Sequence, residues 1–172
     1  MRSPEPHAPT PIDAVQFRRA LGQFATGVTV VTSHDPATGR PEGVTVNAFA
    51  SLSLDPPLVL VCLARATRSA VLFDSAAHFA VNVLAADQRH LSVAFARADN
   101  DRFADVAWRT WASGVPILDG CVANLECVRI GRHDGGDHVI VVGQVERLAF
   151  DETREPLLFA RSAYCALGGT LP

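Results

Sequence analysis

Short polar side chains interrupt a strand-like stretch at residues 43–57, and their types suit the binding of a polar ligand. Thr45 and Asn47 alternate with apolar neighbours, and Ser51 and Ser53 follow before the run ends at Asp55-Pro56-Pro57. Bulky β-branched and aromatic residues would stabilise a half-buried strand better than these hydroxyl and amide groups do. The stretch therefore suits a surface that binds a phosphate-bearing ligand, and it equally suits an ordinary sheet edge followed by a Ser-rich turn.

One histidine stands where a turn would present it to a ligand. His138 follows Gly135-Gly136-Asp137 and opens an apolar run at residues 139–142 that predicts a strand. Ligand pockets are common at the mouths of β-barrels, so an imidazole at the start of a strand is a candidate catalytic group. A hairpin with an incidental imidazole is the alternative. The other five histidines fall in the N-terminal segment, in predicted loops, before a strand or on a predicted helix surface, where we expect them to be solvated.

Three further segments carry side chains that suit ligand contact. The run Asp101-Arg102-Phe103 places a cation beside an aromatic ring, which fits an anion and a planar group, or simple anchoring of a loop. Residues 62–69 pass from an apolar strand to a predicted helix start, where free N–H groups bind phosphate. Asn82 lies within an apolar strand, so its amide needs a partner, which a ligand or the neighbouring backbone would supply.

The elements that position these residues are mostly short strands. Apolar alternation or continuous apolarity predicts strands at residues 28–32, 43–49, 58–63, 79–84, 122–130, 139–148 and 156–160. Turn-forming residues at 35–41 and 131–137 predict hairpin loops.

Short helices complete the predicted elements. One begins at Asp13 as N-cap, carries Phe17, Leu21 and Phe24 on one apolar face and closes at Gly27. Two more are predicted at residues 67–73 and 87–95, the latter with Leu91 and Phe95 facing inward.

The order of these elements favours an antiparallel β fold. Strands and helices do not alternate as in a doubly wound parallel sheet, and neither a Gly-x-Gly-x-x-Gly nor a P-loop motif occurs. Short hairpin-connected strands are typical of a closed or nearly closed barrel, which leaves few exposed edges. We therefore expect a mainly β domain with short helices at residues 12–172, preceded by a mobile Pro-rich arm at residues 1–11.

Composition disfavours several other classes of protein. Apolar residues make up 48% of the 172-residue chain, enough for a sizeable core, and the net charge of -3 with scattered Lys and Arg disfavours nucleic acid. No apolar run approaches the roughly 18 residues of a membrane span, and the start lacks a signal-peptide centre, so we expect a cytoplasmic protein. The four cysteines lack metal-ligand spacing, so we expect no metal site and reduced, mostly buried thiols.

Seven segments of the chain occur together in an order that one protein family shares. They are residues 24–32, 43–49, 51–63, 79–84, 101–103, 125–127 and 135–138. In these segments the chain resembles the flavin reductase-like, split-barrel flavin-binding family, and more narrowly the reductase components of two-component flavin-dependent monooxygenases. The resemblance implies an antiparallel split β-barrel that forms a homodimer, with flavin near the dimer interface.

The same resemblance implies an activity and a set of site residues. FMN or FAD would be reduced by hydride transfer from NADH or NADPH and passed to a partner monooxygenase, with His138 orienting the nicotinamide amide. The implied cofactor-binding residues are Thr45, Val46, Asn47 and Ala48 along the ring and ribityl chain, Ser51, Ser53, Cys62, Leu63, Ala64 and Ser69 at the ribityl-phosphate end, Asn82 on a neighbouring strand, and Phe103 over the flavin or adenine. Ala48 stands where many relatives have serine, which would remove one hydrogen bond to the flavin.

Three other functions stay open at this point. They are a split-barrel FMN oxidase resembling pyridoxamine phosphate oxidase, a non-catalytic flavin-binding or carrier protein, and a dimeric interaction domain. The Gly-Asp-His run at residues 136–138 and the stretch at 51–57 favour the reductase over the oxidase. Both flavins and both nicotinamide nucleotides fit the sequence.

Overall fold

The computed structural model describes residues 11–35, 37–67, 73, 75–97 and 102–168. Within them, two α-helices, α1 (Ala14–Leu21) and α2 (Arg89–Ala96), and one short 3-10 helix (Ala86–Gln88) accompany twelve strands. The strands are β1 (Thr26–Gly27), β2 (Thr29–His34), β3 (Pro41–Val46), β4 (Phe49–Leu54), β5 (Pro57–Ala64), β6 (His78–Val83), β7 (Trp108–Thr110), β8 (Pro116–Leu118), β9 (Ala123–Gly135), β10 (His138–Phe150), β11 (Leu158–Ala160) and β12 (Ala163–Cys165). The predicted arm at 1–11 and the predicted helix at 67–73 fall almost entirely outside the described residues.

A seven-stranded antiparallel sheet forms the body of the protein, in the order β3-β2-β6-β9-β10-β5-β4. Its two edge strands, β3 and β4, are consecutive in the chain and are joined only by Asn47 and Ala48. The sheet must therefore curl until its edges meet, and the Cys62 N–H donates to the Ala48 carbonyl there at 2.9 Å. Among the described strands no ladder pairs β3 with β4, so the sheet is strongly curled without being a closed barrel.

The hydrophobic core lies inside this curl. Inward side chains from six strands pack together there, among them Val31, Val46, Val61, Val81, Cys127 and Val141. Burial alternates along β5, so Val59, Val61 and Leu63 are buried whereas Cys62 is half-buried. We expected the apolar run at 58–63 to be buried on both faces. It is fully buried on one face, because α2 packs against β2 and β3 instead.

Helix α2 forms a second apolar layer outside the curl. Leu91 and Phe95 point inward as predicted, and they pack with Val28, Val30 and Leu84. The close approach of α2 to the sheet requires Gly43, because a Cβ there would lie 2.7 Å from Cε1 of Phe95. This packing fixes the outer side of β3, the strand that leads into Asn47 and Ala48.

Helix α1 begins as predicted and ends earlier than predicted. The Asp13 carboxylate accepts the Gln16 N–H at 3.0 Å, which confirms the N-cap. The helix stops at Leu21 rather than at Gly27, because Gly22 caps it and the chain then turns towards β1. Phe17 and Leu21, predicted to share one apolar face, are 52% and 57% exposed in the single chain.

Two connections also differ from expectation. The strand predicted at 43–49 ends at Val46, and residues 49–54, for which a Ser-rich turn was the alternative, form β4, because the Asp55-Pro56 turn folds them back onto β5. The predicted loop at 131–137 shrinks to Gly136-Asp137, because β9 continues to Gly135. The first residue of that turn has a φ of +71°, a conformation that glycine adopts without strain.

Two further features are the burial of the cysteines and the length of the helices. All four cysteines are free, with Cys121 and Cys127 buried, Cys62 half-buried and Cys165 exposed, so the expected burial is wrong for Cys165. Neither α-helix in the described part of the chain is long and apolar enough to cross a membrane.

Candidate functional site

A cleft opens where the two edges of the curled sheet meet. Its cavity volume is about 150 Å³, so in the single chain it is smaller than the roughly 300–1,000 Å³ of most small-molecule sites. It is lined by Val44, Thr45, Val46, Asn47, Ala48, Cys62, Leu63, Ala64, Thr67 and His138. Eight of these ten are residues that the sequence analysis named, and three separate segments of the chain supply them.

Strand register explains why these segments converge. In the antiparallel pair of β5 and β10, His138 lies opposite Ala64, Val139 opposite Leu63 and Ile140 opposite Cys62. Cys62 in turn is hydrogen-bonded to Ala48 at the β3–β4 junction. The histidine on one hairpin therefore faces the same cleft as the polar end of β3, although almost a hundred residues separate them.

His138 is held by its neighbour Asp137. Nδ1 of His138 lies 2.7 Å from Oδ1 of Asp137. This hydrogen bond and the charge of His138 hold the pKa of the Asp137 carboxyl below its usual range, and the charge of Arg18 on α1 adds to the effect. An ionised carboxylate only accepts, so Nδ1 carries the hydrogen, and in the neutral form of the imidazole Nε2 is left as an acceptor.

The rest of the cleft combines an apolar lining with a few short polar groups. Thr45 donates its hydroxyl to the Ser92 carbonyl at 2.7 Å, which fixes that side chain between β3 and α2. Asn47 and Ala48 are exposed at the junction, and no hydrogen bond of the Asn47 side chain is found with the described residues. The small Ala48 side chain leaves room beside that amide.

A second cleft continues from the first along the outer side of β3. Its cavity volume is about 190 Å³, and it shares Thr45 and Asn47 with the first cleft while adding Val28, Ser92, Phe159 and Tyr164. Two adjoining clefts with common polar residues offer space for a ligand larger than a single ring system. Arg89 lies over the ring of Tyr164 at 5.2 Å, so this face also carries a positive charge.

Cys62 borders the first cleft as a neutral thiol. Burial raises the pKa of the Cys62 thiol above its ordinary value. A thiol of raised pKa is a poor nucleophile at neutral pH, so the side chain contributes apolar surface to the cleft rather than a reactive group.

The structure places several other predicted site residues elsewhere. Ser51 and Ser53 lie on β4 opposite Val59 and Leu58, at the far end of β5 from Ala64. The separation along β5 is five to six residues, about 17–20 Å at roughly 3.3 Å per residue. Phe103 packs edge-on against Phe95 and Trp108 at centroid distances of 5.0 and 5.8 Å, beneath α2. Ser69 lies outside the described residues.

Asn82 is the clearest departure from expectation, because it belongs to the interior. Its side chain is fully buried and donates to the Val30 carbonyl at 2.9 Å and to the Thr32 hydroxyl at 3.0 Å. Its Oδ1 accepts the Leu118 N–H and the Asn124 amide. These bonds occupy the amide completely, so in the single chain Asn82 joins strands and does not reach the cleft.

Two lining residues were absent from the predicted site. Val44 is an ordinary strand residue with no distinguishing signal. Thr67 lies in the segment at 62–69 that the sequence suggested as phosphate-binding, but it was interpreted as a helix cap, and its hydroxyl donates to the Ala64 carbonyl at 2.7 Å. In the part of the chain that the structure describes, no cluster of three or more His, Cys, Asp or Glu residues is placed to hold a metal ion.

The fold and the cleft define a mainly β protein with a cleft of short polar and apolar side chains at the junction of two sheet edges. Residues 21–168 match the model of the flavin reductase like domain. The chain is 48% identical over 148 residues to the FMN reductase (NADH) SmoA of Agrobacterium fabrum, covering 86% of this chain and 83% of that protein. It is 42% identical over 156 residues to the flavin-dependent monooxygenase reductase subunit HsaB of Rhodococcus jostii, covering 91% and 79%.

Solved structures agree with these relatives. The NADH:FAD oxidoreductase SgcE6 of Streptomyces globisporus, in complex with NAD and FAD fragments, superposes with a TM-score of 0.86 and 38% identity, covering 91% of this chain and 93% of that one. The chain therefore belongs to the family of the flavin reductase like domain.

Proposed function

We propose that the protein is a flavin reductase that oxidises NADH or NADPH, reduces FMN or FAD, and supplies the reduced flavin to a partner monooxygenase. The observation that carries the proposal is the cleft at the β3–β4 junction, where His138 faces Thr45, Asn47 and Cys62. The similarity to an FMN reductase and to a monooxygenase reductase subunit supports the same activity. These relatives favour the reductase over an oxidase or a non-catalytic carrier.

The residues of the cleft fit a flavin ring. A planar ring needs an apolar surface, which Val44, Val46 and Leu63 border, and edge polar groups, which Thr45 and Asn47 provide. A bound flavin supplies the hydride-accepting chemistry. The protein contributes position, because holding two rings in contact converts an encounter into a step within one complex.

His138 serves to position the nicotinamide. Its Nδ1–H is engaged by Asp137, so Nε2 is the atom left to accept a hydrogen bond from the carboxamide of the nucleotide. This role needs no proton transfer by the imidazole. The side chain is 41% exposed, as a group that receives an entering substrate should be.

Replacing His138 tests this role. We expect His138→Ala to raise KM for NADH about tenfold, the size of one hydrogen bond of about 1.4 kcal/mol, with KM for flavin changed less than about twofold. His133→Ala is the control, because His133 lies exposed on the same hairpin outside the cleft. Unchanged NADH kinetics in the His138 variant would remove the histidine from the site.

The remaining predicted contacts belong to the parts of a ligand that extend beyond the first cleft. Ser51, Ser53 and Ser69 are proposed for the phosphate-bearing tail, and Phe103 for an adenine or the outer face of the flavin. We propose no direct contact for Asn82, because its amide is engaged inside the protein.

A homodimer of split barrels is the proposed assembly. The single chain exposes large apolar side chains on several strands, with Leu54 on β4 at 95% and Phe150 on β10 at 66%. Exposed apolar surface of this kind is typical of interaction sites, and a second copy would cover it.

A further inference from the structure

A single arginine fastens the hairpin that carries His138 to the end of β5, the neighbouring strand that also lines the cleft. Arg65 directly follows Ala64, the last residue of β5 and the ladder partner of His138. Its Nε donates to the Gly136 carbonyl at 3.1 Å, and its Nη2 donates to Oδ1 of Asp134 at 2.5 Å. Its backbone N–H donates to the Asp137 carbonyl at 2.9 Å.

These three bonds surround the turn that precedes His138. The turn contains only Gly136 and Asp137, and glycine alone would leave its backbone mobile. A planar guanidinium donates along two directions at once, so the side chain holds the turn against the end of β9 in one geometry. The hydrogen bond with Arg65 also keeps the pKa of the Asp134 carboxyl below its usual range.

We propose that Arg65 is a positioning residue for nicotinamide binding, acting through the orientation of His138. This inference rests on the proposed function, since it requires His138 to receive the nucleotide. Arg65 sets the direction of the imidazole by fixing the carbonyls of residues 136 and 137, and Asp137 then fixes the ring. Arg65 at the end of β5 and the tip of the β9–β10 hairpin thus form one unit beside the cleft.

Arg132 provides a matched control for this role. It reaches the same Asp134 carboxylate, with Nη1 3.3 Å from Oδ1, and no bond from it to the turn at 136–137 is found among the described residues. Both arginines are on the surface, so neither ion pair contributes much to stability. A difference between the two variants therefore reports the bonds to the turn rather than the loss of a charge near Asp134.

The test is a double-mutant cycle on steady-state kinetics, with NADH varied at saturating FMN. We expect Arg65→Gln to raise KM for NADH about fivefold, with KM for FMN and kcat within about twofold, and Arg132→Gln to match the unmodified protein. In the His138→Ala background, Arg65→Gln should add nothing, because its effect passes through the imidazole. If Arg65→Gln does not fold, Arg65→Lys is used instead. Lysine keeps the positive charge, but its ammonium group cannot reproduce the planar geometry with which the guanidinium donates to both Gly136 and Asp134.

The outcomes distinguish a failure of the positioning role of Arg65 from a failure of the proposed flavin reductase function. If the increases in KM for NADH of the two single variants multiplied in the double variant, Arg65 would act on the ligand directly. That result would overturn the positioning role. An unchanged KM in Arg65→Gln, alongside a raised KM in His138→Ala, would also overturn it while leaving the proposed function in place. An unchanged KM in His138→Ala would remove both the positioning role and the assigned site.

Discussion

At the residue scale, the cleft is built from small or neutral side chains, and its chemistry depends on where they are held. Asn47 and Ala48 present an amide and a methyl group at the junction of two sheet edges. His138 is oriented by a carboxylate, and Cys62 stays protonated because burial disfavours its thiolate. Such a set suits the positioning of two planar ligands better than it suits covalent catalysis by the protein.

Cys62 provides a residue-scale test of cleft occupancy. Because its pKa is raised, less thiolate exists at pH 8 than for an ordinary thiol, and alkylation should begin at higher pH. We expect iodoacetamide to modify Cys62 at least about fivefold more slowly than a free cysteine peptide at pH 8, and added FMN to slow it further. Peptide mass spectrometry gives both rates.

The exposed Cys165 is the internal control for that experiment. It lies on β12, outside the first cleft, so FMN should leave its rate of modification unchanged. Equal protection of both thiols would point to a global effect of FMN, and no protection of Cys62 would contradict flavin binding in this cleft.

At the element scale, a buried polar network holds the short strand β8 against the main sheet. Asn82 on β6 connects to Val30 and Thr32 on β2, to Leu118 on β8 and to Asn124 on β9. Four elements therefore depend on one amide. Removing it leaves several buried groups without partners, and each such group costs about 1–3 kcal/mol.

Asn82→Ala should therefore destabilise the fold. We expect the free energy of unfolding in urea to fall by about 2–4 kcal/mol, since several buried groups lose their partner. Asn47→Ala, at an exposed position in the cleft, should stay within about 0.5 kcal/mol while weakening FMN binding. If Asn82→Ala weakened FMN binding and left the free energy of unfolding unchanged, Asn82 would be a cofactor-binding residue, as the sequence suggested.

The elements also show which features a single sequence could predict. Period-two alternation and the turn residues located β2, β3, β5, β6, β9 and β10, because local pattern governs strands of a half-buried sheet. Helix α2 and the Asp13 cap followed from spacing and side-chain chemistry in the same way. The ends of elements were less predictable, since β9 extends to Gly135 through pairing with β10 rather than through its own composition.

Residues of the candidate site could be predicted where local sequence places them at strand ends. They were less predictable where contacts between distant segments determine whether a side chain reaches the cleft. Thr45, Asn47 and His138 carry polar groups at strand ends, and the curl of the sheet does bring them together. Asn82 carries an equally suggestive side chain, but its burial depends on distant partners such as Leu118. Arg65 gave no signal of its bonds to the hairpin, because those bonds span about seventy positions in the chain.

At the scale of the whole molecule, we expect the protein to form a dimer. Light scattering coupled to size exclusion should give about twice the mass of one chain, because exposed side chains such as Leu54 and Phe150 need cover. We expect Phe150→Asp to shift the protein towards the monomer, since a carboxylate would have to be desolvated at an apolar contact. A monomeric mass for the unmodified protein would contradict the assembly without bearing on the cleft.

The whole molecule is proposed to reduce flavin with a nicotinamide nucleotide, and an absorbance assay tests this activity. Oxidation of NADH and of NADPH is followed by absorbance with added FMN, with added FAD and without flavin. We expect the nucleotide to be oxidised only when flavin is added. The relative rates then identify the preferred nucleotide and the preferred flavin. Absence of oxidation with every pair, in protein shown to be folded, would contradict a flavin reductase.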